Sequence, residues 1–152
     1  TAFAAVTEEE AADTLADFAD PANAGCGGMF PWSVLGEAIE ITGVFSDGFG
    51  THTIDGVQWL QAYEGSDDAV FRFTTVDNDN GFVIAQNGLE NEFNPGLFSR
   101  FQWGVSEGIL YYCQTAFSAA SPEEAADTMA DFADPANVGC GGMFPWSVLS
   151  EE

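Results

Sequence analysis

Lysine is absent from this chain of 152 residues, and Arg72 and Arg100 are its only cations. Against them stand 25 Asp and Glu, a formal net charge of −23 with His52 neutral. A nucleic-acid binder neutralises phosphates with clustered Lys and Arg, so nucleic acid is excluded as a partner. The same repulsion disfavours an anionic membrane surface. No apolar run approaches the roughly 20 residues that span a bilayer, so membrane insertion is not expected. The single histidine and the lack of any C-x-x-C pair leave a Cys/His zinc centre or a haem attachment without ligands at their usual spacing. No N-x-S/T acceptor for N-glycosylation occurs either.

What the chain does hold is apolar mass. It is 46% hydrophobic, with 14 Phe and 4 Trp, enough to bury the core of one compact domain and unlike an acidic disordered tail. It also repeats itself. Segment 1–35 recurs as segment 115–149, with six differences, at Ala4/Ser118, Val6/Ala120, Thr7/Ser121, Glu8/Pro122, Leu15/Met129 and Ala24/Val138. Repeats at a fixed offset point to arrays of one structural unit. The reading that follows is a tail of a preceding unit at 1–35 and one complete 114-residue unit at 36–149. Within that unit, a β-meander occupies 38–117 and a helix with a cysteine loop occupies 118–149. Residues 150–152 either open the next unit or form the C-terminus.

The three cysteines are an odd number, which in an oxidised protein leaves a free thiol or a partner elsewhere. Cys26 and Cys140 are equivalent under the 114-residue offset, whereas the equivalent of Cys113 would fall just before Thr1. This predicts a Cys113–Cys140 disulfide inside one unit. Cys26 then pairs with the missing counterpart, upstream in the same polypeptide or as Cys113 of a neighbour. The plainer alternative is three buried reduced thiols. Disulfides, acidity and the missing lysines together point to an extracellular or cell-surface location.

Thr7-Glu8-Glu9-Glu10 and Ser121-Pro122-Glu123-Glu124 carry a capping hydroxyl with Glu three residues on, and Pro122 suits the first helical position. Each predicts a short capped helix running through EAADTLADFAD or EAADTMADFAD, to just before Pro21 or Pro135. A glycine-rich loop holding the cysteine follows, and then the apolar stretch MFPWSVL. Between the copies the period falls to two. Candidate strands start at Ala38, Thr51, Val57, Ala69, Gly81, Leu97 and Gly108, separated by turn residues such as Asp47-Gly48, Asp55-Gly56 and Asn80-Gly81. The fold class is therefore α+β, mostly β: an antiparallel meander of about six or seven strands, curled or closed into a small barrel, with a short helix and a disulfide-stapled loop. The stretches NEFNPGLFSRFQW (91–103) and LYYCQTAF (110–117), followed by SPEEAAD and GCGG, resemble uncharacterised secreted bacterial β-rich repeat domains. The resemblance implies secretion and a disulfide, and supplies no activity.

Catalytic readings are weak. Period two sends His52 and its neighbours Thr51 and Thr53 to opposite faces of a strand, so no oriented triad forms there. Glu90 and Glu92 are two acids in a loop of a very acidic chain, thin support for a glycosidase pair, and no enzyme activity is expected. Asp77 and Asp79 open a stretch like a calcium loop, yet Phe82 and Gly88 stand where an EF-hand needs Gly and Glu. A hairpin turn is the default there, and no cofactor is expected beyond loosely bound calcium or magnesium. Arg72 and Arg100 lie inside aromatic strands, positioned to hold acidic partners as structural ion pairs. Trp59, Phe71, Phe73, Trp103, Tyr111 and Tyr112 could line a pocket, since small barrels enclose small ligands.

The functional expectation is a structural protein whose partner is itself. Units join head to tail, in tandem or by exchange of the repeated end, into a fibre or stalk. Phe18, Met29, Phe30 and Trp32, with their equivalents Phe132, Met143, Phe144 and Trp146, are the candidate contacts between units. The alternative is a secreted small β-barrel that binds a ligand or calcium.

Overall fold

The structure is a computed structural model and describes residues 37–152. The first copy of the repeat, with Phe18, Cys26, Met29, Phe30 and Trp32, lies outside the described residues.

Alternating apolar residues broken by Asp-Gly and Asn-Gly turns give seven strands in meander order. They are β1 (Gly43–Ser46), β2 (Gly50–Ile54), β3 (Gln58–Tyr63), β4 (Ala69–Asp77), β5 (Phe82–Asn87), β6 (Phe98–Ser106) and β7 (Ile109–Ala119). Each pairs antiparallel with the next. The turns work as their residues dictate. Asp47 Oδ1 accepts from the Phe49 and Gly50 N–H groups, and Asp55 Oδ1 accepts from Val57 and Gln58. At the β4–β5 hairpin Asp77 takes the Asn80 amide, and Gly81 adopts a φ of 62°. The first strand begins at Gly43 rather than at Ala38, because Ile39 has already turned into the core.

Two short strands complete the sheet. β8 (Ser147–Val148) pairs with β7 through Tyr111 and Tyr112, and β9 (Ser150–Glu151) pairs with β1 through Phe45 and Ser46. One extended segment therefore bridges both edges of the meander. The sheet runs β8-β7-β6-β5-β4-β3-β2-β1-β9, a nearly closed antiparallel barrel, and the α+β, mostly β expectation holds. Leu149, between the two short strands, is 4% exposed and packs with Ile39, Phe45, Trp59, Phe101 and Tyr112. The core thus sits in the lumen, where Trp59 stacks on Phe101 at 4.8 Å and Phe71 meets the same ring edge-on.

Residues 120–146 wrap the outside of β5, β6 and β7. Helix α1 (Pro122–Ala126) is capped by Ser121, whose Oγ accepts from the Glu124 amide, while Glu124 returns a carboxylate oxygen to the Ala120 N–H. This is the capping box read from the sequence. The helix is much shorter than predicted: the chain leaves it after Ala126. A local side-chain bond and a tertiary one take over there: the Thr128 hydroxyl donates to the Ala125 carbonyl, and the Ala130 amide donates to Gln102 Oε1 on β6. A bulge in β7 lets Ala116 face the helix, where Ala125 is fully buried with Ile84 and Ala119. Further on, the Phe132 ring lies flat over β6 because Gly104 offers no side chain; a Cβ there would stand 2.6 Å from that ring.

Candidate functional site

The repeated segment supplies a seam. Cys113 on β7 and Cys140 in the glycine loop form a disulfide with 5.6 Å between Cα atoms, the bond expected from the offset. It is packed with Tyr111 and Trp146, and Trp146 donates its indole N–H to the Asp131 carbonyl. This corrects two of the expected inter-unit contacts. Trp146 is 3% exposed, and Phe132 stacks edge-on against it within the same unit. Met143 and Phe144 behave differently, at 77% and 64% exposed.

The two arginines part ways. Arg72 donates to Glu90 Oε1 at 2.6 Å on the surface, and that partner holds the Glu90 carboxyl below its ordinary range. Arg100 departs from the expected ion pair. It is 2% exposed, lies 4.2 Å over the Phe82 ring and donates to the Ala126 carbonyl, so it fastens the helix to the barrel wall. Burial lowers its proton affinity, with the charge of Asp77 working the other way. Asp77 itself is engaged in its turn, where the Asn80 side chain and amide hold its carboxyl low. Among the described residues no group of three or more His, Cys, Asp and Glu converges as a metal cluster.

His52 lies inside the barrel and is tied into a polar cluster. Register places it opposite Phe45, facing the lumen and fully buried. Trp59 donates its indole N–H to His52 Nδ1 at 2.9 Å, which puts the histidine proton on Nε2, 3.2 Å from Asp47 Oδ2. Tyr112 donates to the same carboxylate oxygen at 3.0 Å, and the Tyr63 hydroxyl stands 3.4 Å away. Burial pushes His52 below its ordinary value, opposed by its bond and charge contact with Asp47. Burial would raise Asp47, yet the Phe49 and Gly50 amides, His52 and Tyr112 together bring it below 3.8. Burial raises both tyrosines, which stay protonated. The cluster is a neutral His held by a carboxylate.

Both shifts carry the same sign. A group whose folded pKa is depressed takes up its proton more readily when unfolded, so stability falls as pH drops. The His52 share is lost below about pH 6.5, and the Asp47 share below about pH 4. Urea unfolding between pH 8 and 5 should therefore lose stability faster in the parent chain than in His52→Gln. Parallel slopes would mean that His52 does not titrate as its burial implies.

Tyr63 links this cluster to a cavity of about 460 Å³. The cavity opens where β3 and β5 end and β4 begins, and it is lined by Gln61, Tyr63, Ser66, Asp67, Ala69, Phe71, Asn87, Asn91, Glu92, Phe93, Asn94, Gln114 and Phe117. Two carboxamides fasten its wall. Asn87 donates to the Asn94 and Phe117 carbonyls and accepts from Ser99, while Asn91 brackets the Val70 amide and carbonyl. Of the aromatics proposed from sequence as pocket residues, Phe71 lines this cavity. Trp59 and Tyr112 are lumen core, Phe73 packs against that core, Tyr111 joins the disulfide cluster, and Trp103 bonds to Glu40. Sequence reasoning missed Asp47, Tyr63, Gln61 and Gln114. Strand parity held part of the signal, because Asp47 follows Phe45 by two residues and shares its face.

Comparison with protein families, curated proteins and solved structures finds no match to this chain.

Proposed function

We propose that the chain is a structural building block, not an enzyme, that assembles head to tail with further copies of itself into an extracellular or cell-surface filament. One observation carries this reading: the end of the repeated segment supplies one of the two closing strands, β8, and the lumen residue Leu149 beside it. Residues 147 and 148 of the repeat pair with the edge of β7, Ser150 and Glu151 just after it pair with the edge of β1, and Leu149 fills the lumen between them. Segment 1–35 matches 115–149 at all but six positions, so it calls for the same seat. On this barrel that seat is filled by 115–149, so the copy at 1–35 would find its own on another barrel, in a tandem chain or on a neighbouring subunit. By the same logic Cys26, the counterpart of Cys140, pairs with a β7 cysteine of that other barrel.

The Cys113–Cys140 disulfide supports an oxidising compartment. Among the described residues no helix is long and apolar enough to cross a membrane. Exposed Met143 and Phe144 offer apolar contact between successive units. A charge of −23 keeps parallel filaments apart, and loosely bound calcium or magnesium would screen it.

Electrophoresis and mass measurement with and without reductant test the proposal. Native material with a reduced mass near multiples of the 114-residue unit establishes a tandem polymer. For the 152-residue chain, a reduced 16.2 kDa band that becomes a ladder without reductant, and loses the ladder in Cys26→Ser, establishes subunit exchange. A 16.2 kDa monomer under native as well as denaturing conditions overturns the filament.

A further inference from the structure

We propose that the cavity between β3, β4, β7 and the 88–97 loop is a binding site for a small neutral carbohydrate, a role independent of filament formation. Three features of the cavity converge on that ligand.

The first is an unspent polar group. Gln61 lines the cavity, and its carboxamide is bonded to no other described residue. An amide that lines a cavity in this way can both donate to and accept from a ligand there. Asn87 and Asn91 lie against the same cavity with their amides engaged in holding its wall. Gln61 is therefore the donor and acceptor left facing the space. Gln114 donates to Ser99 Oγ, which leaves its carbonyl oxygen as a second acceptor.

The second feature is the mouth. Phe93 and Phe117 are 72% and 56% exposed, although both border the cavity. Exposed rings beside a concave polar site give a flat apolar face against which the C–H side of a pyranose can lie, while its hydroxyls reach the amides. A wholly apolar ligand would satisfy the rings and leave Gln61 unpaired.

The third is charge. Asp67 and Glu92 stand at the cavity, and no cation lines it. Carboxylates accept from hydroxyls, and they repel anions, as does the net charge of −23. The volume of about 460 Å³ falls within the range of small-molecule sites and suits one or two sugar rings.

The test is saturation-transfer NMR on the 152-residue chain, with glucose, N-acetylglucosamine, maltose and cellobiose at millimolar concentration, glucuronate as the anionic comparison and cyclohexanol as the apolar one. At least one neutral sugar is expected to bind, and glucuronate to bind more weakly than glucose. Gln61→Leu should weaken that binding about tenfold or more, the value of one buried hydrogen bond. Phe93→Ala, at an exposed position where folding is not at stake, should weaken it severalfold. Unchanged circular dichroism of both variants checks the fold. The proposal is overturned if no sugar binds, if cyclohexanol alone binds, if glucuronate binds as well as glucose, or if both variants bind sugar like the parent.

Discussion

Replacing Cys113 and Cys140 together by serine is expected to lower the unfolding free energy by about 3–4 kcal/mol, read from urea unfolding of the parent and the double variant. The two residues are 27 apart in sequence, and chain-entropy arguments assign roughly that amount to a closed loop of this length. A domain of this size is held by only about 5–15 kcal/mol, so the loss removes a large fraction of the total. The loop has little else to hold it. Between Asp131 and Trp146 its backbone bonds run within the segment, the Phe132 and Trp146 rings rest on Tyr111 of β7, and its Met143 and Phe144 side chains lie out in solvent. The consequence should extend to the closing strands, since Ser147 follows directly. In the double variant β8 and β9 should exchange amide hydrogens faster than β4 and β5. A loss below about 1 kcal/mol would mean that packing around Trp146 alone seats the segment.

Trp59→Ala is expected to cost about 3–5 kcal/mol, the range for truncating a large buried aromatic residue. Trp59 is fully buried, stacked on Phe101 and tilted against Tyr112 at 5.5 Å. Truncation also strips His52 Nδ1 of its donor, leaving a buried acceptor unpaired. Trp59→Phe separates the two effects, because it keeps most of the ring volume and loses the N–H. It should fall between the parent and alanine in urea midpoint. If phenylalanine costs as much as alanine, the bond to His52 dominates over the packing.

The sequence disclosed the barrel wall well and its closure poorly, for a physical reason. Strands from Thr51 to Ala119 are set by local rules, period-two alternation and turn residues that bond to their own neighbours, as Asp47, Asp55 and Asp77 do. Strands β8 and β9 are two residues each. No periodicity is visible over so few positions, and they exist because two distant edges need partners. Helix α1 fails in the opposite direction. EEAADTMADFAD has good helical spacing, but Gln102 and Gly104 on β6 offer the segment better contacts than a further helical turn would. The disulfide was legible because it follows from arithmetic on a repeat rather than from geometry. The cavity was not, because its key groups, Gln61 and Gln114, are uncharged amides inside ordinary strands. Nothing distinguishes them in sequence from solvent-facing ones.

The way the barrel is shut also sets how it would yield to force. Tension applied at Glu152 acts on a seam of two residue pairs at each edge, Phe45 with Glu151 and Ser46 with Ser150, then Tyr111 with Val148 and Tyr112 with Ser147. These pairs would give way one after another, drawing Leu149 from the lumen and Trp146 from its cluster. Yielding then stops at Cys140, because its bond to Cys113 anchors it in the middle of β7. The residues beyond Cys140 stretch to roughly 40 Å at full extension. The slack such a seam could release is that span less the distance the segment already covers in the folded barrel, and the disulfide sets its upper limit.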